Sequence, residues 1–173
     1  VVIDTAQRDF VCFNAKEVQW LRSHGFRRAD QAARLGADLI RDGLAAEELL
    51  RRIDSFCDPQ TLLVDLLLDQ RIAAGIGNVY KSEVLFLEHW APLRRVRDLG
   101  DDALLALYRR AAALLGENLG GGPRTTRFSA AGRGGLWVYG RAELPCRRCA
   151  APVRRALLGR QPRSSYWCAR CQA

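Results

Sequence analysis

The sequence predicts a mainly α-helical chain that closes in a small β ribbon held by metal-ligating cysteines. Three observations carry this. Residues 45–119 hold successive apolar stretches at helical spacing, divided by Asp58-Pro59, Gly75-Ile76-Gly77 and Pro92. Gly120-Gly121-Gly122-Pro123 ends that region. Beyond it, Cys146-x2-Cys149 and Cys168-x2-Cys171 frame two short β-rich runs.

In chain order, residues 1–13 (VVIDTAQRDFVCF) place two β-rich runs around a polar turn and predict a hairpin. A lone hairpin is marginal in water, so these residues are expected to be the last strands of a β-domain whose earlier part is absent. Asn14 suits an N-cap with Glu17 at the capping-box position, and Gly25 would end that helix. Residues 45–56 predict a second helix. Asp58 and Pro59 supply a cap and a first helical residue for a third. Its sequence, TLLVDLLLDQRIAA, is apolar except at Asp65, Asp69, Gln70 and Arg71, which predicts burial on most sides. The glycine turn interrupts it, and residues 78–89 resume helical spacing through Val79, Leu85 and Phe86. A further helix is expected over residues 101–119. Residues 124–135 read as a glycine- and arginine-rich loop, and the remainder as short strands between cysteines.

Composition narrows the partner class. Apolar residues make up 49% of the 173, enough for a core, which excludes a disordered tail. The formal charge is +8, and residues 120–173 hold eleven Arg against a single acid, Glu143. The whole excess therefore lies in the last third, and a one-sided excess favours a polyanionic partner. The preponderance of Arg over Lys adds little, because a GC-rich genome produces the same ratio. No secretory leader and no apolar run of about 20 residues is present, so a cytoplasmic protein with no membrane contact is expected.

The two CxxC knuckles, with eighteen residues between them, can offer four thiolates to one tetrahedral Zn²⁺. Two disulfides are the alternative, disfavoured in a reducing compartment. Four thiolates leave no open coordination position, so such an ion is structural. Cys12 and Cys57 lack a partner motif and read as small buried hydrophobes. Between the knuckles, VRRALL and the following turn would present Arg163, although composition alone does not separate a phosphate contact from a solvated arginine. Gly75-Ile76-Gly77-Asn78 joins two helices. The free N–H groups at the start of the second, together with the Asn78 amide, could bind an anion, or the string could be an ordinary connection.

With these residues in view, the chain resembles the formamidopyrimidine-DNA glycosylase / endonuclease VIII family. LLLDQRIAAGIGNVYKSEVLF is similar to that family's helix-two-turn-helix motif, and WVYGRAELPCRRCAAPVRR…RSSYWCARCQ to its C-terminal zinc finger. The resemblance covers residues 14–173. It implies a helix-two-turn-helix bundle over residues 14–122, a loop and β zinc ribbon over 123–173, and, at 1–13, strands remaining from an N-terminal β-sandwich. It implies one structural Zn²⁺ on Cys146, Cys149, Cys168 and Cys171. DNA contacts are implied at Asn78, Arg163, Gly75, Gly77 and Arg71, with residues 124–135 near a flipped-out base. Lys81, where many members carry a small residue, is expected as an additional phosphate contact. LLLDQ and YWC are closer to the endonuclease VIII branch, which favours oxidised pyrimidines.

Family members open with a Pro amine nucleophile followed by a catalytic Glu. Here Val1 and Val2 stand first, and no residue of the chain is assigned a catalytic role. The function implied is that of a base-excision repair DNA glycosylase and abasic-site lyase in a bacterial cytoplasm, at the nucleoid. It would act as a monomer on damaged duplex DNA. A non-catalytic zinc-ribbon DNA-binding module is the second reading, and a zinc-ribbon protein of the ribosome or transcription apparatus the third.

Overall fold

The computed structural model describes residues 1–13, 35–129 and 132–172. The helix expected from Asn14 to Gly25 lies outside these residues. Two units are distinguished, residues 1–34 and 35–173. In the first, β1 (Val2–Asp4) pairs antiparallel with β2 (Asp9–Val11), Ile3 opposite Phe10, as the hairpin pattern predicts. Thr5 closes the turn by donating its hydroxyl to the Arg8 carbonyl at 2.6 Å. Cys12 is exposed, not buried, because it leaves a hairpin whose residues are all exposed.

Among the described residues, the second unit is built on four α-helices: α1 (Ala46–Phe56), α2 (Leu63–Leu68), α3 (Asn78–Leu87) and α4 (Asp101–Gly116). In α1, Glu47 and Glu48 occupy the first turn, where the helix dipole favours acids. Arg51 and Arg52 both reach back to Glu48, at 2.7 and 2.6 Å, and hold its carboxyl down to about 2. Asp101 and Asp102 open α4 in the same way.

The third helix is shorter than its sequence predicts. Asp58 does not cap a helix: its side chain accepts the Gln60 N–H, and its carbonyl the Thr61 N–H, which closes a local turn. The helix begins only at Leu63 and stops at Leu68, where Asp69 turns its side chain back to the Arg71 N–H. Ala73 and Ala74 then form β4, paired parallel with β3 (Ala37–Asp38), in place of a continuing helix. What the apolar pattern conveyed correctly is burial. Leu63, Val64, Leu66 and Leu67 are at most 1% exposed and pack with Val84, Leu107, Tyr108 and Ala111 in the main core. The Tyr108 hydroxyl donates to the Leu66 carbonyl inside that core. The two helices that follow also end early, at Leu87 and Gly116.

The glycine- and arginine-rich stretch contains a short antiparallel pair, β5 (Phe128–Ser129) with β6 (Gly132–Arg133), which its composition concealed. The ribbon hairpin is β7 (Arg154–Leu158) with β8 (Arg163–Trp167), in register from Arg154 opposite Trp167 to Leu158 opposite Arg163. A smaller core of Phe86, Val138, Cys146, Val153 and Cys168 seats this ribbon on α3.

Glu83 of α3 fixes the entry into the ribbon. It is fully buried, and its two oxygens accept the N–H groups of Trp137, Val138 and Tyr139 at 2.7–2.8 Å, together with the Thr126 hydroxyl. Four donors converging on two oxygens suit an acceptor-only group. Glu83→Gln turns an NH₂ toward these donors, so we expect a loss of about 2–4 kcal/mol of stability, read as a lower midpoint in urea unfolding.

Candidate DNA interface and metal centre

The start of α3 follows from the glycine turn. Gly75 has φ +112°, a conformation that side-chain-bearing residues rarely adopt. Gln70 clamps the turn from both sides: its Oε1 accepts the Gly75 N–H at 3.0 Å, and its Nε2 donates to the Ile76 carbonyl at 2.9 Å. Gly77 is the N-cap, and no side chain caps the helix. Its opening N–H groups are thus free of the side-chain acceptor that a Ser or Asp would supply, which leaves them available to an anion.

Asn78 is half-buried at the first position of α3 and accepts a hydrogen bond on Oδ1 from the Lys81 ammonium at 2.9 Å. Lys81 itself is fully buried and makes two further bonds, to Ser165 Oγ at 2.8 Å and to the Ser164 carbonyl at 3.1 Å. Expected as a phosphate contact, it offers no surface in this structure, because the ribbon strand covers it and supplies its acceptors. Burial lowers its ammonium to about 8, with Asp65 opposing the shift and Arg163 adding to it.

Arg163 is exposed at the start of β8. The turn before it is held to α2: Asp65 Oδ1 accepts the Arg160 N–H at 2.9 Å. Gly159 there has φ +95°, and a Cβ on it would lie 2.5 Å from the same oxygen. Arg71 is partly exposed, paired with Asp69 at 2.6 Å and stacked on Phe56 with its guanidinium carbon 4.9 Å from the ring centre. Burial alone would raise the Asp69 carboxyl, yet the Arg71 contacts hold it below its ordinary value.

These residues meet in one cleft of about 700 Å³. Arg71, Gly77, Asn78 and Arg163 line it with Arg160, Asp65, Asp69 and Gln70. Gly75 stands exposed at the turn, and Lys81 lies beneath. Sequence patterns assigned no role to Asp65, Asp69, Gln70, Ser164 or Ser165. Only the two acids and the glutamine, which interrupt the apolar run, gave any signal.

The four ribbon cysteines are brought together as their spacing predicts. Their sulfurs all lie within 4.8 Å of one another, Cys146 Sγ 3.9 Å from Cys171 Sγ and Cys149 Sγ 3.4 Å from Cys168 Sγ. A disulfide requires about 2.05 Å, whereas thiolates sharing one tetrahedral ion at about 2.3 Å stand about 3.8 Å apart. The donor set therefore fits a metal. The Ala151 N–H lowers the Cys149 thiol to about 7, while burial and the neighbouring sulfurs raise Cys171 well above the ordinary thiol range. Gln172 ties the second knuckle to the helices, accepting the Cys168 N–H and donating to the Trp90 carbonyl.

A family model described as "Formamidopyrimidine-DNA glycosylase H2TH domain" matches residues 35–130, more than half of the chain. The chain belongs to the formamidopyrimidine-DNA glycosylase / endonuclease VIII family. Within that family it is 39% identical to the "Probable endonuclease 8 2" of Streptomyces coelicolor, over all of this chain and 61% of the relative. It is 38% identical to the "DNA-(apurinic or apyrimidinic site) lyase Nei2" of Mycolicibacterium smegmatis, over 83% of this chain and 54% of the relative. The crystal structure of the MutM (Fpg) protein of Thermus thermophilus superposes with a TM-score of 0.68 at 31% identity, covering 88% of this chain and 59% of that one. The chain thus spans about 55–60% of the length of the family members it matches. The family fold, helices around a helix-two-turn-helix domain with small sheets, is the one observed here.

Gly159→Ala tests how the turn carrying Arg163 is held. The methyl group meets Asp65 in a backbone conformation that disfavours it, so we expect a loss of about 1–3 kcal/mol in thermal or chemical unfolding. The same change at Gly140, where a Cβ meets nothing within 4 Å, should cost less.

Proposed function

We propose that this chain is the DNA-holding part of a base-excision repair glycosylase and abasic-site lyase of the endonuclease VIII type. Its substrate would be duplex DNA carrying abasic sites or oxidised bases, pyrimidines foremost. One observation carries the proposal. The uncapped start of α3 with Asn78, and Arg163 from a hairpin some eighty residues later, converge on a single cleft. The names of the two relatives support the reaction class.

Asn78 and the opening N–H groups of α3 would donate to one phosphate, and the Arg163 guanidinium would pair with another. Arg71 is already engaged by Asp69, so it contributes a preset orientation more than a free charge. Cys146, Cys149, Cys168 and Cys171 would hold one Zn²⁺, which supplies no open coordination position and stabilises the ribbon that presents Arg163. Contacts of this kind fix register on the duplex without reading sequence, which suits a protein that must stop at damage in any context.

Fluorescence anisotropy with a duplex containing a tetrahydrofuran abasic-site analogue tests this. The intact metal-loaded protein should bind it, and failure to bind overturns the proposal. Arg163→Ala should weaken binding on every duplex and reduce the slope of log K against log salt by about one. An unchanged slope removes Arg163 from the interface. Elemental analysis should give one zinc per chain. Stripping it with a chelator should abolish DNA binding and lower the thermal midpoint by at least about 10 °C, since a structural site of this kind contributes directly to folding. A metal-free protein that keeps both would rule out the zinc assignment.

A further inference from the structure

Lys81 is unusual on three counts. It is 0% exposed although lysine is among the residues least often buried. Its ammonium has three donors, and each has an acceptor, namely Asn78 Oδ1, Ser165 Oγ and the Ser164 carbonyl. None of those acceptors belongs to a carboxylate. A buried cation whose three acceptors are all neutral, and whose charge is favoured from within the fold by Asp65 without a bond to it, is costly to keep unless something outside the fold adds to that.

The three acceptors say what that is. Asn78 opens α3 in the cleft, and Ser164 and Ser165 directly follow Arg163 in β8. Because Oδ1 accepts from Lys81, the Asn78 amide must present its NH₂ elsewhere, as a donor (an orientation that no other acceptor-donor pairing of these two side chains permits). The same ammonium grips the strand immediately behind Arg163. One buried charge therefore sets the orientation of Asn78 and the separation between Asn78 and Arg163.

Building on the DNA-binding function proposed above, we infer that Lys81 is a positioning residue for phosphate recognition. It ties Asn78 to the Arg163 strand, and the incoming phosphates add their counter-charge to that of Asp65. Lys81 does not itself touch the DNA.

The groups acting electrostatically on it are Asp65 of α2, which favours its charge, and Arg163 of β8, which with burial disfavours it, so that in the free protein it titrates at about 8. Phosphates arriving at Asn78 and Arg163 favour the charged form and raise it. Binding above pH 8 must then take up a proton, so affinity should fall as pH rises.

The test measures binding of the intact metal-loaded protein to the abasic-analogue duplex between pH 7 and 9. Wild-type affinity should fall about tenfold over that range, the limit for one linked proton per pH unit above 8. Lys81→Met keeps the length and apolar stem, should bind at least about tenfold more weakly at pH 7, and should lack the fall. In an Asn78→Ala, Arg163→Ala background the same change should cost no more than about threefold, because both of the groups it positions are already gone. A wild-type affinity flat from pH 7 to 9 overturns the inference without any variant being needed. So does a Lys81→Met loss that is equally large with and without Asn78 and Arg163 together, which is the signature of a residue that merely supports the fold. Wild-type protein that binds no duplex removes the proposed function and this inference together; wild-type binding unaffected by Lys81→Met removes this inference alone.

Discussion

Helix α3 is buried along seven consecutive residues, Tyr80 to Phe86, and this enclosure governs the arrangement of everything around it. A helix that meets no water on any side must find a partner for each face. Val84 and Leu85 pack into the main core with α2 and α4, while Phe86 turns to the ribbon core beside Val138 and Val153. The polar face has less freedom. A buried polar group without a partner costs a few kcal/mol, and here Lys81, Ser82 and Glu83 are consecutive. Each takes its partner from the C-terminal region: Lys81 from Ser164 and Ser165, Ser82 from the Tyr166 N–H, Glu83 from residues 137–139. Three adjacent side chains thus specify how the ribbon docks, and apolar contact alone would have left its orientation free.

This explains which features could be read from the sequence. The four cysteines and the glycine turn were legible because their information is local: a knuckle is defined within four residues, and a turn by the glycine geometry it requires. The buried character of residues 63–68 was equally plain from composition. The length of α2 was not. Asp69 bonding to Arg71 and the capture of Ala73–Ala74 by Ala37–Asp38 replace helical hydrogen bonds with others, and the second of these partners lies some 36 residues away. Lys81 shows the same limit from the other direction. A lysine in a helix reads as solvated, and what buries it is a strand more than eighty positions later. Expected as a surface contact to phosphate, it lies instead beneath the cleft with no exposed surface.

The cleft also departs from a simple basic patch. Asp65 and Asp69 line it among the arginines, and on the proposed function acids there would weaken the attraction to phosphate if they stood as free charges. They do not stand free. Asp69 is spent on Arg71, which it orients, and Asp65 accepts the Arg160 N–H that fixes the turn before Arg163. Each acid costs some long-range attraction and returns geometric definition.

That exchange separates the two tasks of the surface. The arginine excess of residues 120–173 would supply attraction to a polyanion that acts at a distance and weakens with salt, whatever the exact placement of each charge. Register on a duplex would depend instead on a few donors held at fixed separation by short hydrogen bonds within the fold. The uncapped helix start, the oriented Asn78 amide and the pinned Arg163 strand belong to this second set. A protein whose affinity came from charge alone would slide along any duplex with no preferred stopping geometry. On the proposed function, with the donors set by Gln70, Lys81 and Asp65, binding would be tightest where the backbone can adopt the spacing they impose, and a duplex weakened by a missing or damaged base would deform to it at the lowest cost.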